Sequence, residues 1–90
     1  MVTIFVRHAV ADYDTWKQGY DAAASLQAAN GVLEKGVYRD ADDDSVVIVT
    51  HKFHNIDSAR NFMNLDELKS AMQEIGVQGA PIVWFAEDIE

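Results

Sequence analysis

Three segments of this chain, Ile4-Phe5-Val6, Val46-Val47-Ile48-Val49 and Ile82-Val83-Trp84-Phe85, are apolar without a polar interruption. A strand packed on one side and wet on the other alternates apolar and polar residues. Unbroken runs therefore predict a sheet covered on both faces. Two helix-like stretches suffice for one face, so the other needs a different cover. In a chain of 90 residues the simplest cover is a second copy of itself. The expectation is a homodimer joined through its sheets, each face shielding the other across a two-fold axis.

Ninety residues suit one domain, 1–90, that buries about 60–65% of the surface its unfolded chain exposes. Such a core is modest, and dimerisation would enlarge it. Cysteine is absent, which removes disulfides, thiolate metal sites and thiol nucleophiles. The formal charge of −8 argues against nucleic acid and anionic membrane as partners, since both require a basic face. No apolar run approaches the ~20 residues of a membrane span, and the N-terminus carries no signal-like pattern. A cytoplasmic protein is expected.

Along the chain, Thr3 to Ala9 reads as a first strand. A helix capped by Asp12 or Asp14 follows from about Tyr13 to Ala29, with Tyr13, Trp16, Tyr20, Ala23, Ala24 and Gln27 on one stripe. Asn30-Gly31 closes it, Gly31 suiting a left-handed position. A second strand runs from Leu33 to Arg39, and the acidic stretch Asp40 to Asp44 is a hairpin connection to a third, Val46 to Phe53. Asp57 can cap a second helical region that turns Ala59, Phe62 and Met63 inward. Asn64 with Glu67 reads as a fresh capping pair, so a break is expected there. Leu65, Leu68, Met72 and Ile75 then form one stripe, Gly76 ends it, and Pro81 opens a last strand.

The order β-α-β-β-α-β defines an α+β, ferredoxin-like arrangement. Right-handed crossovers are expected to set strands one and three side by side and parallel in the middle of the sheet, with strands two and four at the edges. Both helical regions then cover one face.

The residues also resemble a known group. Val6-Arg7-His8, Asp12-Tyr13-Asp14 with Trp16-Lys17, Val37-Tyr38-Arg39-Asp40, and the ending from Gly76-Val77 through Pro81 to Trp84-Phe85 are similar to antibiotic biosynthesis monooxygenase-like proteins. These belong to the dimeric α/β barrel superfamily, and the resemblance spans essentially the whole chain. It implies a four-stranded antiparallel sheet, a sheet-to-sheet dimer, and a pocket between sheet and helices in each subunit. Members of the superfamily include cofactor-independent oxygenases, haem-degrading enzymes, isomerases and cyclases, and fold analogy does not choose among them. The Asn–Trp–His constellation of the haem-degrading members has no match here. Trp16 lies on the first helix, and the second helical region contains no His.

His51 and His8 are the candidates for chemistry, because neutral imidazole can take a proton from a phenol or an acidic C–H. Both are expected near the carboxyl ends of adjacent strands, opening towards the same end of the sheet. Each also has a bland reading as a histidine satisfied by a structural hydrogen bond. Trp16, Tyr20, Phe62, Met72 and Trp84 are candidate pocket walls, and equally ordinary packing residues. Arg39, like Arg7, can bind a ligand carboxylate or pair with an acid of the chain. No metal site is expected: His51 and His54 are spaced i, i+3, which diverges on a strand. The acidic loop lacks the Gly and the final Glu of a calcium loop. No cofactor is expected, since phosphate-cradling and nucleophile motifs are missing. These residues suit a metal-free enzyme, a monooxygenase or a cyclase/isomerase, acting on an apolar aromatic, polyketide-like or long-chain oxo compound. The alternative is a non-catalytic dimeric protein that binds an apolar metabolite.

Overall fold

The computed structural model describes residues 1–89. The order is β1 (Val2–Val10), α1 (Tyr13–Ala22), α2 (Ala24–Ala29), β2 (Glu34–Arg39), β3 (Val46–Phe53), α3 (Ile56–Met63), α4 (Asp66–Glu74) and β4 (Val77–Glu87). The four strands form one antiparallel sheet in the order β2-β3-β1-β4. This is the ferredoxin-like α+β arrangement, with β2 and β4 at the edges as expected.

One expectation is overturned. Strands β1 and β3 are central neighbours, but they run antiparallel, with Ile4 opposite His51 and His8 opposite Val47. The crossover through α1 and α2 joins β1 to β2, and these two parallel strands are not adjacent. The hairpin returns β3 into the gap between them, antiparallel to both. His8 and His51 consequently sit towards opposite ends of the sheet, four positions apart, or about 13 Å.

The faces follow the pleat. Val2, Ile4, Val6, His8 and Val10 of β1 point to one side, with Val47, Val49, His51 and Phe53 of β3 beside them. These pack against Trp16, Tyr20, Ala59 and Phe62 from the helices. The opposite face bears Phe5, Tyr38, Ile48, Ile82 and Trp84. Of these, Tyr38, Ile82 and Trp84 are about half exposed, at 57%, 51% and 49%. The apolar runs are therefore two-faced as the sequence suggests, and one of the faces is bare.

Local chemistry explains the helix ends. Asp12 is the cap of α1, its Oδ2 accepting from Thr15 N at 3.0 Å. The single long helix expected from Tyr13 to Ala29 is broken at Ala23, where the backbone leaves helical geometry. Gly31 closes α2 at φ +89°, a conformation that costs glycine little. The second helical region is capped by Asn55, which accepts from Ser58 N at 2.9 Å, and not by Asp57. The break near Asn64 is present. However, Asn64 ends α3, and the N-cap of α4 is Leu65, without a side-chain bond. Pro81 lies inside β4 next to the register shift opposite Arg7 and Ala9, and not at the strand's start. An edge strand tolerates its missing N–H there.

Candidate functional site

A cavity of about 50 Å³ lies between the inner face of the sheet and the helices. The sheet supplies Val6, His8, Val49 and His51. Helices α1 and α2, with the break between them, supply Trp16, Tyr20, Ala23 and Gln27. Phe62 and Met63 come from α3, and Leu68, Ala71, Met72 and Ile75 close the side formed by α4 and its C-cap. The lining is almost wholly apolar. The free space holds roughly three to five waters, well below the ~300 Å³ at which drug-sized ligand pockets begin.

Helical spacing builds the wall. Trp16 and Tyr20 are i, i+4 on α1, so both project onto the sheet, and Trp16 is 2% exposed. Their rings stack at 5.0 Å between centroids. Strand parity turns His8 and His51 towards the same rings. The His8 ring lies 5.7 Å from Trp16, and His51 lies 6.2 Å from Tyr20 with the planes 5° apart. Phe62 meets His51 edge-on at 5.4 Å. The two histidines, far apart along the sheet, are thus joined by one row of aromatic side chains across the cavity.

His51 is buried, and its Nε2 sits 3.3 Å from the Tyr20 hydroxyl. Its other nitrogen, Nδ1, has no hydrogen-bond partner. Burial pulls its pKa down to about 4, with the nearby Lys35 cation adding to the effect, so the ring is neutral at pH 7. Burial also lowers the pKa of His8, partly offset by the Ala9 carbonyl, 3.4 Å from its Nδ1. The Tyr20 phenol is held above its usual range by burial and, more weakly, by Asp21, while the Gln27 amide acts in the opposite sense.

Six of the eight residues singled out from the sequence, His8, His51, Trp16, Tyr20, Phe62 and Met72, line this cavity. Two do not. Trp84 opposes Phe5 on the helix-free face, because strand parity turns it away from the helices. Arg39 is exposed at the end of β2, its guanidinium 4.2 Å from the centre of the Tyr13 ring, outside the cavity. Arg7 pairs with Asp40 at 3.2 Å, the acid-pairing role weighed for it. Carboxylates of the acidic hairpin are used by the loop itself, Asp40 accepting from Asp42 N and Asp43 from Ser45 N. His54 is exposed after β3. Among the described residues no three His, Asp or Glu side chains gather as metal ligands, and no helix is long and apolar enough to cross a membrane.

Sequence reasoning missed Gln27 and Lys35 as site residues. Gln27 is a buried polar side chain, and Lys35 Nζ donates to its Oε1 at 3.0 Å. The signal for the first was a Gln on an otherwise apolar helix stripe. For the second there was none, because Lys35 is brought beside the site only by the β2–β3 register, which sets it opposite His51.

No protein-family model matches this sequence, and no curated protein matches it. Solved structures do match in fold. A candidate antibiotic biosynthesis monooxygenase from Bordetella bronchiseptica superposes with a TM-score of 0.82 at 12% identity, over 99% of this chain and 97% of that one. SnoaB, a cofactor-independent oxygenase from Streptomyces nogalater, gives 0.79 at 13% identity over 99% and 93%. A candidate antibiotic biosynthesis monooxygenase from Caulobacter crescentus gives 0.79 at 19% identity over 99% and 90%. The chain thus has the ferredoxin-like fold of the antibiotic biosynthesis monooxygenase-like proteins. At these identities the likeness is one of fold.

Proposed function

We propose that this chain is a monooxygenase-like enzyme, acting without a bound metal or cofactor on a small apolar substrate that is aromatic or enolisable. The observation that carries this reading is His51, a buried neutral imidazole with one unpartnered nitrogen in an apolar cavity wall. In the tautomer where Nε2–H donates to the Tyr20 oxygen, Nδ1 presents a free lone pair. That lone pair takes a proton from a ring hydroxyl or an activated C–H. The resulting substrate anion supplies the electrons for reaction with oxygen. One oxygen atom is retained as a new carbonyl, and the other leaves as water with the two displaced hydrogens.

The low basicity of His51 constrains the substrate. Moving a proton from a phenol of pKa ~10 to an imidazole near 4 is uphill by about 8 kcal/mol before the ion pair formed returns part of it. A turnover of ~10 s⁻¹ corresponds to a barrier of about 16 kcal/mol, so the step fits beneath it. More acidic substrates, such as enolised 1,3-dicarbonyls or polyhydroxylated rings, fit more easily. SnoaB, similar in fold, is a cofactor-independent oxygenase, which supports oxygenation over isomerisation for this site.

The bare sheet face completes the proposal. Phe5, Tyr38, Ile48, Ile82 and Trp84 lie on this face around Arg7 and Thr50, mostly exposed apolar side chains of the kind that mark an interface, and a second copy of the chain is its proposed cover.

A rival reading, a protein that holds an apolar metabolite without converting it, draws on the apolar lining and the weak base. Oxygen uptake and product mass over a panel of polyhydroxylated aromatics and enolisable ketones separate the two. Turnover that disappears in His51→Ala supports the enzyme. Tight binding across the panel with no oxygen uptake and no isomer formed supports the carrier.

A further inference from the structure

The cavity is too small for the substrates just proposed, and one wall residue explains how it can be larger. Gln27 lines the interior cavity, and it also lines a surface groove of about 310 Å³ between α2 and the start of β2. It is the one residue that the two linings share. Gln27 is 4% exposed, yet the residue that holds its Oε1 is the exposed Lys35, at 3.0 Å. Rotation of this one amide outward would join cavity and groove into a volume at the lower end of ligand pockets. The same rotation would release one of the three ammonium donors of Lys35 at the mouth.

Lys35 is unusual in its surroundings. In a chain with 15 acids and 7 bases, it has no carboxylate within 4 Å among the described residues. Glu34, its sequence neighbour, is turned to the other face, where it meets Lys52. The Lys35 ammonium instead lies 5.3 Å from the centre of the Tyr20 ring, and its strand position opposes His51. A chain of charge −8 repels anions in general. A cation left uncompensated against the wall of an apolar cavity is a local exception to that field.

We infer that Lys35 is the anion-reading residue of this site, and that the ligand is an aromatic carboxylate or similar ring-bearing oxyanion which displaces Gln27, ring inward and charge on Lys35. The inference rests on the cavity reading above and adds the charge and route of the ligand. A carboxylate replaces the Gln27 oxygen on the ammonium, exchanging a neutral acceptor for a charged one, which is the stronger bond. The apolar ring enters the cavity beside the row of Trp16, Tyr20 and His51, whose mutual contacts stay in place.

The test compares 2-naphthoate with 2-naphthamide, which share the ring and differ in charge. Affinity is read by calorimetry and location by the Trp16 indole N–H resonance, told from that of Trp84 with Trp84→Phe. Naphthoate is expected to bind about five- to tenfold more tightly than the amide and to shift the Trp16 signal. Lys35→Met should abolish that preference, the two probes then binding alike, and Lys35→Arg should restore it. Equal binding of both probes at Trp16 would overturn the role of Lys35 while leaving the cavity reading intact. Binding of neither, or binding that leaves Trp16 unshifted, would overturn both.

Discussion

Tyr20 and His51, 31 residues apart in sequence, meet with their rings 5° from parallel and the phenol oxygen 3.3 Å from Nε2. This contact fixes one nitrogen of the imidazole and leaves the other facing no partner. If His51 is the base, His51→Ala should lower turnover by about 10²–10⁴-fold with the fold retained, as for other positioned general bases. Tyr20→Phe should lower turnover as well, because the ring loses the bond that orients it. Each substitution should also cost about 1–3 kcal/mol in denaturant unfolding, since a buried polar atom loses its partner. An unchanged rate in His51→Ala would remove His51 from the mechanism.

Acid should destabilise this protein earlier than its carboxylates alone would. The unfolded chain protonates His51 below about pH 6.5, whereas the folded chain resists until about 4. Between those values the unfolded state binds more protons, so stability rises with pH and is lost as pH falls from 6.5 towards 4. The full effect is about 3 kcal/mol. His8, also depressed by burial, adds a loss of the same sign. Asp12, Asp40, Asp43 and Asp88 are lowered by their hydrogen bonds, and their losses come at lower pH. Melting temperature against pH should therefore fall from near 6.5 downward, and His51→Phe should flatten most of that slope. A flat wild-type profile down to pH 4.5 would contradict the burial of a neutral His51.

The helix-free face should control assembly. Sedimentation of this chain should give about twice the 10.0 kDa of one subunit. Placing a charge on this face, Trp84→Asp, should yield monomers with a preserved fold, because Trp84 lies away from the core. A monomeric wild type at micromolar concentration would refute the dimer.

Gly19 should resist enlargement. A Cβ there would run into Cγ2 and Cβ of Ile75, which closes the α4 side of the cavity. Alanine in a helix interior gains about 1 kcal/mol over glycine, but overpacking of a dense contact costs about 1–3. The net expectation for Gly19→Ala is a loss of up to about 2 kcal/mol in denaturant unfolding. A gain in stability would mean that α4 gives way freely.

Much of this arrangement could be read along the chain. The period of Trp16 and Tyr20, the inward Phe62 and the glycine at Gly31 follow from local rules of spacing and capping, and the break near Asn64 falls where expected although the Asn64–Glu67 capping pair does not form. These rules act within a few residues, so sequence suffices for them. The bare apolar face was legible for the same reason: runs such as Ile82 to Phe85 put apolar side chains on both sides of a strand.

The strand order was legible, with β1 and β3 central and β2 and β4 at the edges, but the relative direction of the central strands and the cross-strand register were not. Periodicity states which way a side chain points, never which residue lies opposite it. The antiparallel pairing of β1 and β3 is set by the hairpin filling the gap beneath the crossover, a closure that spans the whole chain. Through it His8 and His51 moved apart along the sheet, and the aromatic row of Trp16 and Tyr20 became their connection. The β2–β3 register likewise carried Lys35 to His51, and a turn of α2 brought Gln27 to Lys35. Local sequence determined the faces; the pairing of distant strands decided which polar groups share the cavity, because that pairing depends on contacts no short segment contains.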